Sequence, residues 1–128
     1  MQYKNNPLSP HLQIYKWQIS SLLSIAHRIV GVINIIAITL ICIWVSSLLF
    51  GETSYEIMKL FLNSFFGKFI IISLCWTFSF HILNEIRHLT WDAGYGFDLK
   101  VAKITGALSF FGSFVLTIIF YLLGKNIF

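Results

Sequence analysis

The sequence predicts an all-α integral membrane protein with three transmembrane helices, and two observations carry that prediction. Of the 128 residues, 57% are hydrophobic and only 11% are charged, whereas soluble domains are about half apolar and about a quarter charged. Three stretches also reach the roughly 20 residues that a helix needs to cross a bilayer core of about 30 Å. Because backbone amides in lipid must be paired within their own segment, these stretches are expected to be helices rather than open strands.

Charged residues are nearly absent from the three apolar stretches. Residues 29–50 and 104–123 contain none, and residues 65–83 contain only Lys68 near the start and His81 near the end. With their more polar ends included, the three spans are predicted at about residues 22–50, 65–88 and 104–124, in a single membrane-anchor domain covering residues 1–128.

The segments outside the spans are short. Residues 1–19 are predicted to form an irregular arm, because Pro7 and Pro10 interrupt a helix, and Ser20 and Ser21 are expected to cap the first helix. The connection after the first span is expected to hold a single interfacial helical turn. The connection after the second, "DAGYGFDLK", has the Gly and Asp content of a turn.

The basic residues predict the orientation of the chain in the membrane. They are scattered beside the spans, so the net charge of +4 does not indicate nucleic-acid binding. Loops rich in Lys and Arg stay on the cytoplasmic or matrix side. The N-terminal side of the first span has only basic charges, and the second connection is also rich in them (Lys4, Lys16, Arg28; Arg87, Lys100, Lys103). We therefore expect the N-terminus on the cytoplasmic or matrix side. The membrane would be a bacterial inner membrane or, for an organelle-encoded chain, the mitochondrial inner membrane. The N-terminal sequence does not resemble a removable signal.

A first group of polar side chains lies at the start of the first span. In "SIAHR", Ser24, His27 and Arg28 are spaced i, i+3 and i+4, which places them on one face of a helix. A lone Arg at such a position usually extends toward lipid headgroups. A hydroxyl, an imidazole and a guanidinium on one face instead favour binding of a quinone carbonyl or of haem propionates.

A second polar group, "HILNEIRHLTWDAG", ends the second span. His81 and His88 are separated by two helical turns, roughly 10 Å along the axis, which is too far for both to bind one metal ion from one helix. His81 lies about two turns inside the border, where an unpaired imidazole is unfavourable. It is consistent with an axial haem ligand, a proton relay, or a histidine hydrogen-bonded to a neighbouring helix. Arg87, His88 and Asp92 are expected at the water boundary, pairing or capping the helix end.

Two segments together resemble a known family. "NPLSPHLQIYKWQISSLLSIAHR" and "HILNEIRHLTWDAGYG" are similar to the two signature regions of the cytochrome b membrane-anchor subunit of succinate dehydrogenase, respiratory complex II. The resemblance covers the N-terminal arm, the start of the first span and the end of the second, and it extends to chain length and three-helix layout. Both motifs, in order and at the right distance, make it specific.

The resemblance implies roles for individual residues. His81 corresponds to the axial ligand of haem b and therefore to the metal-binding residue. Ser24 and Arg28 correspond to residues lining the ubiquinone pocket, and His27 and Arg28 to groups beside the haem propionates. His88 and Asp92 match the later histidine and aspartate of the second motif, with His88 a further candidate for haem contact. The family usually has glycine where this chain has Glu85, so a carboxylate lies one turn from the implied ligand.

The resemblance also implies cofactors and partners. The chain has no GxGxxG sequence for FAD and no cysteine set for iron–sulfur clusters, so succinate oxidation is expected on a flavoprotein and an iron–sulfur subunit. A second, smaller anchor would complete the helical bundle and supply the other axial ligand of haem b. Electrons would pass from the iron–sulfur subunit to ubiquinone.

Two other hypotheses belong to different functional classes. The chain could be a haem-free structural anchor of complex II or of quinol:fumarate reductase, which Glu85 favours. An unrelated transporter or channel subunit would instead require polar residues along the middle of several spans, and the first and third spans have very few.

Overall fold

The computed structural model describes residues 16–127, and its regular structure within that range is helical. Four helices follow one another along the chain: α1 (Ile19–Leu49), α2 (Glu52–Asn63), α3 (Phe65–Asp92) and α4 (Leu99–Ile127). The side chains of residues 125–127 are not described. The expectation of an irregular arm with Pro7 and Pro10 falls mainly on residues 1–15, which lie outside the described part of the chain.

Three of the helices are long and apolar enough to cross a membrane. They are Ile19–Leu49, Phe65–Asp92 and Leu99–Gly124, so the predicted all-α architecture with three candidate spans is confirmed. Large apolar side chains remain exposed along all three, for example Ile36, Phe69 and Phe111. In water such surfaces would be unfavourable, whereas lipid tails or neighbouring apolar helices can cover them.

The connection between the first two spans is more regular than the sequence predicted. Instead of a helical turn it contains the 12-residue helix α2. Gly51, with φ of 101°, adopts a conformation that other residues rarely reach and redirects the chain after α1. Glu52 then lies in the first turn, where a negative charge complements the helix dipole. Glu56 and Lys59 add an ion pair at 3.5 Å.

The N-terminal cap of α1 differs from the one that the sequence predicted. Ser20 and Ser21 were expected to cap α1, but Gln18 occupies the N-cap position and makes no side-chain capping bond. Both serines therefore lie inside the first turn, and the Ser21 hydroxyl donates to the Gln18 carbonyl at 3.0 Å. The predicted serine cap is wrong. At α3 the N-cap is Ser64, whose hydroxyl oxygen accepts from the Gly67 amide at 3.1 Å.

The three long helices all contact one another, and α3 packs most extensively, above all against α4. Its interface with α4 uses small polar side chains, including Ser79, Ser113 and Thr117, all of them buried. Thr117 donates to the Ser113 carbonyl one turn earlier, so its hydroxyl is satisfied within its own helix. Small residues of this kind allow transmembrane helices to approach closely.

A single interhelical hydrogen bond between side chains joins α1 to α3 among the described residues. Thr77 Oγ1 donates to Asn34 Oδ1 at 3.0 Å, and both residues are buried. Asn34 lies two turns beyond His27 in α1, and Thr77 lies one turn before His81 in α3. This bond therefore helps to fix the position of α1 along the axis of α3, so that the start of α1 lies beside the end of α3.

Candidate functional site

Three histidines from two helices meet where α1 begins and α3 ends. The His27 ring from α1 stacks on the His81 ring from α3, with centroids 4.3 Å apart and planes 13° from parallel. His27 also contacts His88, with ring centroids 5.0 Å apart and planes 89° from parallel. His81 and His88 are two turns apart on α3, as the sequence indicated, and His27 lies between them. The two polar groups found in the sequence therefore share one site.

Glu85 is the carboxylate of this histidine cluster. Its Oε1 lies 3.4 Å from His27 Nε2 and 3.8 Å from His81 Nε2. About half of the Glu85 side chain is exposed, compared with 12% for His27 and 30% for His81. Hydrophobic periodicity gave no signal for this arrangement, because the pairing with His27 joins two distant parts of the chain.

Two imidazole nitrogens in the cluster are buried without a hydrogen-bond partner among residues 16–127. They are His27 Nε2 and His81 Nδ1. His27 Nε2 is close enough to Glu85 for an ion pair, but it forms no hydrogen bond with the carboxylate. Burying a polar group without a partner is unfavourable by about 1–3 kcal/mol. His27 Nε2 would therefore gain from a bound group that it can contact, whereas His81 Nδ1 is closed off by α1.

The orientation of the His81 ring is set by its contact with α1. A Cβ atom added at Gly31 would lie 3.5 Å from His81 Cε1 and 4.0 Å from His81 Nδ1. Nδ1 therefore faces the α1 backbone, while Nε2 lies on the side of Glu85. A Cβ atom at these distances would be in ordinary van der Waals contact, so the His81 imidazole packs directly against α1 at Gly31.

Ser24 and Arg28 lie on the same face of α1 as His27. Ser24 is half-buried and Arg28 is exposed. Within residues 16–127, Arg28 forms no ion pair with a carboxylate and the Ser24 hydroxyl forms no hydrogen bond. Both groups remain able to donate to a bound molecule.

The remaining polar residues of the second motif separate into two environments. His88 is half-buried and contacts Trp91, with ring centroids 5.4 Å apart, and Asp92 is exposed as the last residue of α3. Arg87, however, is buried, with only 5% of its surface exposed. The expectation that Arg87 lies at the water boundary is therefore wrong.

Arg87 is directed into the junction between α3 and α4. Its Nε donates to Thr105 Oγ1 at 3.3 Å, and its Nη2 donates to the Ala102 carbonyl at 3.1 Å. The guanidinium carbon lies 4.2 Å from the centre of the Trp91 ring. The planar fork of arginine satisfies these contacts together, so Arg87 joins the end of α3 to the start of α4.

Replacing Arg87 by methionine is expected to destabilise the helix bundle by about 1–3 kcal/mol, because two hydrogen bonds from a charged donor and the contact with Trp91 are lost. Titration of the purified protein with a denaturing detergent, followed by circular dichroism, measures this change. Lys103→Met is the control, since Lys103 is an exposed cation of the same region of α4. Equal stability of the two variants would show that Arg87 does not join the helices.

Comparison with known proteins now identifies the family. The family model described as succinate dehydrogenase/fumarate reductase transmembrane subunit matches residues 2–120. The chain belongs to this family. It is 38% identical over 119 residues to the succinate dehydrogenase cytochrome b556 subunit of Rickettsia felis, with 93% of each chain covered.

Relatives within the family come from bacteria and from a eukaryote. The cytochrome b556 subunit of Paracoccus denitrificans is 32% identical over 115 residues, covering 90% of this chain and 88% of the relative. The cytochrome b560 subunit of Reclinomonas americana is 36% identical over 124 residues, covering 93% and 86%. The resemblance found from the two motifs is therefore confirmed along nearly the whole chain.

Haem is the cofactor that the cytochrome names of these relatives imply, and the histidine cluster is chemically suited to it. An imidazole is a common axial ligand of haem iron, and the His81 ring has Nδ1 without a hydrogen bond and Nε2 on the side of the half-exposed Glu85. The exposed Arg28 supplies a positive charge, and Arg28 and His27 supply N–H donors that propionate oxygens can accept. For haem to bind through His81 Nε2, the Glu85 carboxylate must move away from its present position.

Proposed function

We propose that the chain is the haem b-binding membrane anchor of succinate:ubiquinone oxidoreductase and forms part of its ubiquinone site. The observation that carries this proposal is the packing of His27 from α1 on His81 from α3, which leaves His81 Nε2 on the side of the half-exposed Glu85. Family membership supports the anchor role. Bound haem b would supply one-electron redox chemistry within the membrane.

Haem binding would use residues of both α1 and α3. His81 is proposed as the axial ligand, with the ring position supported by its contacts with His27 and Gly31. His27 and Arg28 would hold the propionates through charge-assisted hydrogen bonds, and His88 would support the cluster through its edge contact with His27. The second axial ligand is proposed to come from a second, smaller anchor subunit, which would cover the exposed apolar faces next to the cluster.

Ubiquinone binding would use Ser24 and Arg28. The Ser24 hydroxyl and the Arg28 guanidinium can each donate a hydrogen bond to a quinone oxygen, and neither is engaged with another described side chain. The positive charge of Arg28 would stabilise the negative charge that develops on that oxygen during reduction. Arg28 would hold the substrate, and Ser24 would orient it.

The other cofactors of the complex would be bound by partner subunits. FAD and the iron–sulfur clusters would be held by a flavoprotein and an iron–sulfur subunit, which dock on the side where α1 begins and α3 ends. The excess of basic residues on that side supports a matrix or cytoplasmic location. The membrane would be the bacterial or mitochondrial inner membrane.

A haem-free structural anchor is the second candidate, and Glu85 is the observation that favours it. Its carboxylate lies 3.8 Å from the nitrogen that would bind iron. A pyridine haemochrome assay on the purified complex distinguishes the two candidates. Under the main proposal the complex contains haem b at the same molar amount as this chain and reduces ubiquinone with succinate. A complex that reduces ubiquinone without detectable haem would establish the structural anchor instead.

A further inference from the structure

The same cluster also has the composition of a site for a small metal ion. His27, His81 and Glu85 each offer one ligand atom, and these atoms all lie within 4.8 Å of one another. Two imidazoles and one carboxylate form a ligand set found in zinc and non-haem iron proteins. The spacing of residues in the sequence does not predict this ligand set, because His27 comes from a different helix.

We propose that the chain, before it receives haem, binds a divalent transition-metal ion such as Zn²⁺ through Nε2 of His27, Nε2 of His81 and the Glu85 carboxylate, and that haem displaces this ion. The displacement rests on the proposed function, since it requires His81 to be the haem ligand. Binding of the ion does not depend on that assignment.

The distances in the cluster need only a small adjustment to bind an ion. Ligand atoms about 2.0–2.1 Å from a tetrahedral ion are separated by about 3.3 Å from one another. Glu85 Oε1 is already 3.4 Å from His27 Nε2 and 3.8 Å from His81 Nε2. The two rings are nearly parallel, so each must turn about its Cβ–Cγ bond, a rotation that is soft for histidine.

Burial and charge favour the ion over an empty cluster. His27 Nε2 is buried without a hydrogen bond, and a metal ion would accept its lone pair. The Glu85 carboxylate would offset one positive charge of the ion. Because Glu85 is about half exposed, an ion and a water ligand can reach the cluster from the end of α3.

Ion and haem would compete for one atom. Haem iron bound by His81 Nε2 removes one of the three ligands of the ion, and it requires the Glu85 carboxylate to leave its position near that nitrogen. The two occupants therefore exclude each other. A bound ion would keep the His27 and His81 rings close together until haem arrives.

Binding is tested with Co²⁺ alone on the full-length chain, purified without haem in detergent micelles. We expect stoichiometric binding with the visible absorption bands of low-coordinate Co²⁺, abolished by excess Zn²⁺. Glu85→Gln and His27→Ala are each expected to lower the affinity at least about tenfold. Glu56→Gln is the matched control, because Glu56 is an exposed carboxylate on α2, and circular dichroism verifies that every variant remains helical. No binding by the wild type, or equal binding by Glu85→Gln, would overturn the proposal.

Displacement is tested by adding haem to the Co²⁺-loaded chain, alone and together with the second anchor subunit that would supply the other axial ligand. We expect the Co²⁺ bands to disappear as the haem spectrum forms, with released Co²⁺ captured by a chromogenic chelator. Haem binding with Co²⁺ retained would overturn the shared-ligand part of the proposal. Bound Co²⁺ with no haem binding even when the second anchor subunit is present would support the ion site and contradict the haem function, so the two failures are distinguishable.

Discussion

Replacement of His81 by alanine is expected to remove haem b from the complex while leaving succinate oxidation by the peripheral subunits intact. The imidazole of His81 is the ligand proposed for the iron. Alanine leaves that coordination position without a ligand. The reduced-minus-oxidised spectrum and the haemochrome content of the purified complex measure the loss, and we expect essentially all of the haem to disappear.

His88→Ala is the matched control for this experiment. His88 is the other histidine of α3, and its ring packs on His27 and Trp91 at the edge of the cluster. We expect this variant to retain haem. Dye-linked succinate oxidation in membranes tests whether each variant complex still assembles. A complex that assembles and keeps an unchanged spectrum after His81→Ala, or loses its haem only after His88→Ala, would show that the ligand has been assigned incorrectly.

Replacement of Arg28 by alanine is expected to lower kcat/KM for ubiquinone by about 10- to 150-fold, which corresponds to a loss of about 1.5–3 kcal/mol for a hydrogen bond from a charged donor. Arg28 is exposed and has no carboxylate partner in the described chain, so its removal should not disturb the fold. The measurement is succinate-dependent reduction of a soluble ubiquinone analogue by the purified complex.

Two comparisons separate a quinone role from a general charge effect. Lys68→Ala removes an exposed cation at the start of α3, far along the helix from His81, and should leave quinone kinetics unchanged. Arg28→Lys keeps the charge but loses the planar fork and should give an intermediate rate. Dye-linked succinate oxidation should be the same in all three variants. Normal quinone kinetics in Arg28→Ala would mean that Arg28 lies outside the ubiquinone site.

The long helices could be predicted because their signal is local. A run of about 20 apolar residues is sufficient to place a candidate span, and the structure has helices at all three positions. Helix α2 was missed because its sequence mixes polar and apolar residues between two glycines. The glycines indicated a loop, whereas Gly51 only redirects the chain and the residues after it form a regular helix.

The position of Arg87 shows where local reasoning fails. Beside His88 and Asp92 near the end of a span, an arginine is expected to extend toward water. Its burial depends on acceptors from another helix, Thr105 Oγ1 and the Ala102 carbonyl. Those acceptors come from α4 and can be identified only once α3 and α4 are packed together.

By itself the sequence determined the all-α membrane architecture, the family, and the residue types gathered at the two polar borders, because hydropathy and short motifs are properties of neighbouring residues. Only the tertiary structure decided that His27 stacks on His81 and that Glu85 approaches both. The antiparallel packing of α1 and α3 brings positions 54 residues apart (81 minus 27) to one level, as the bond between Asn34 and Thr77 shows. Contacts of this kind depend on how helices pack against one another, and the residue pattern of a single helix does not predict that packing.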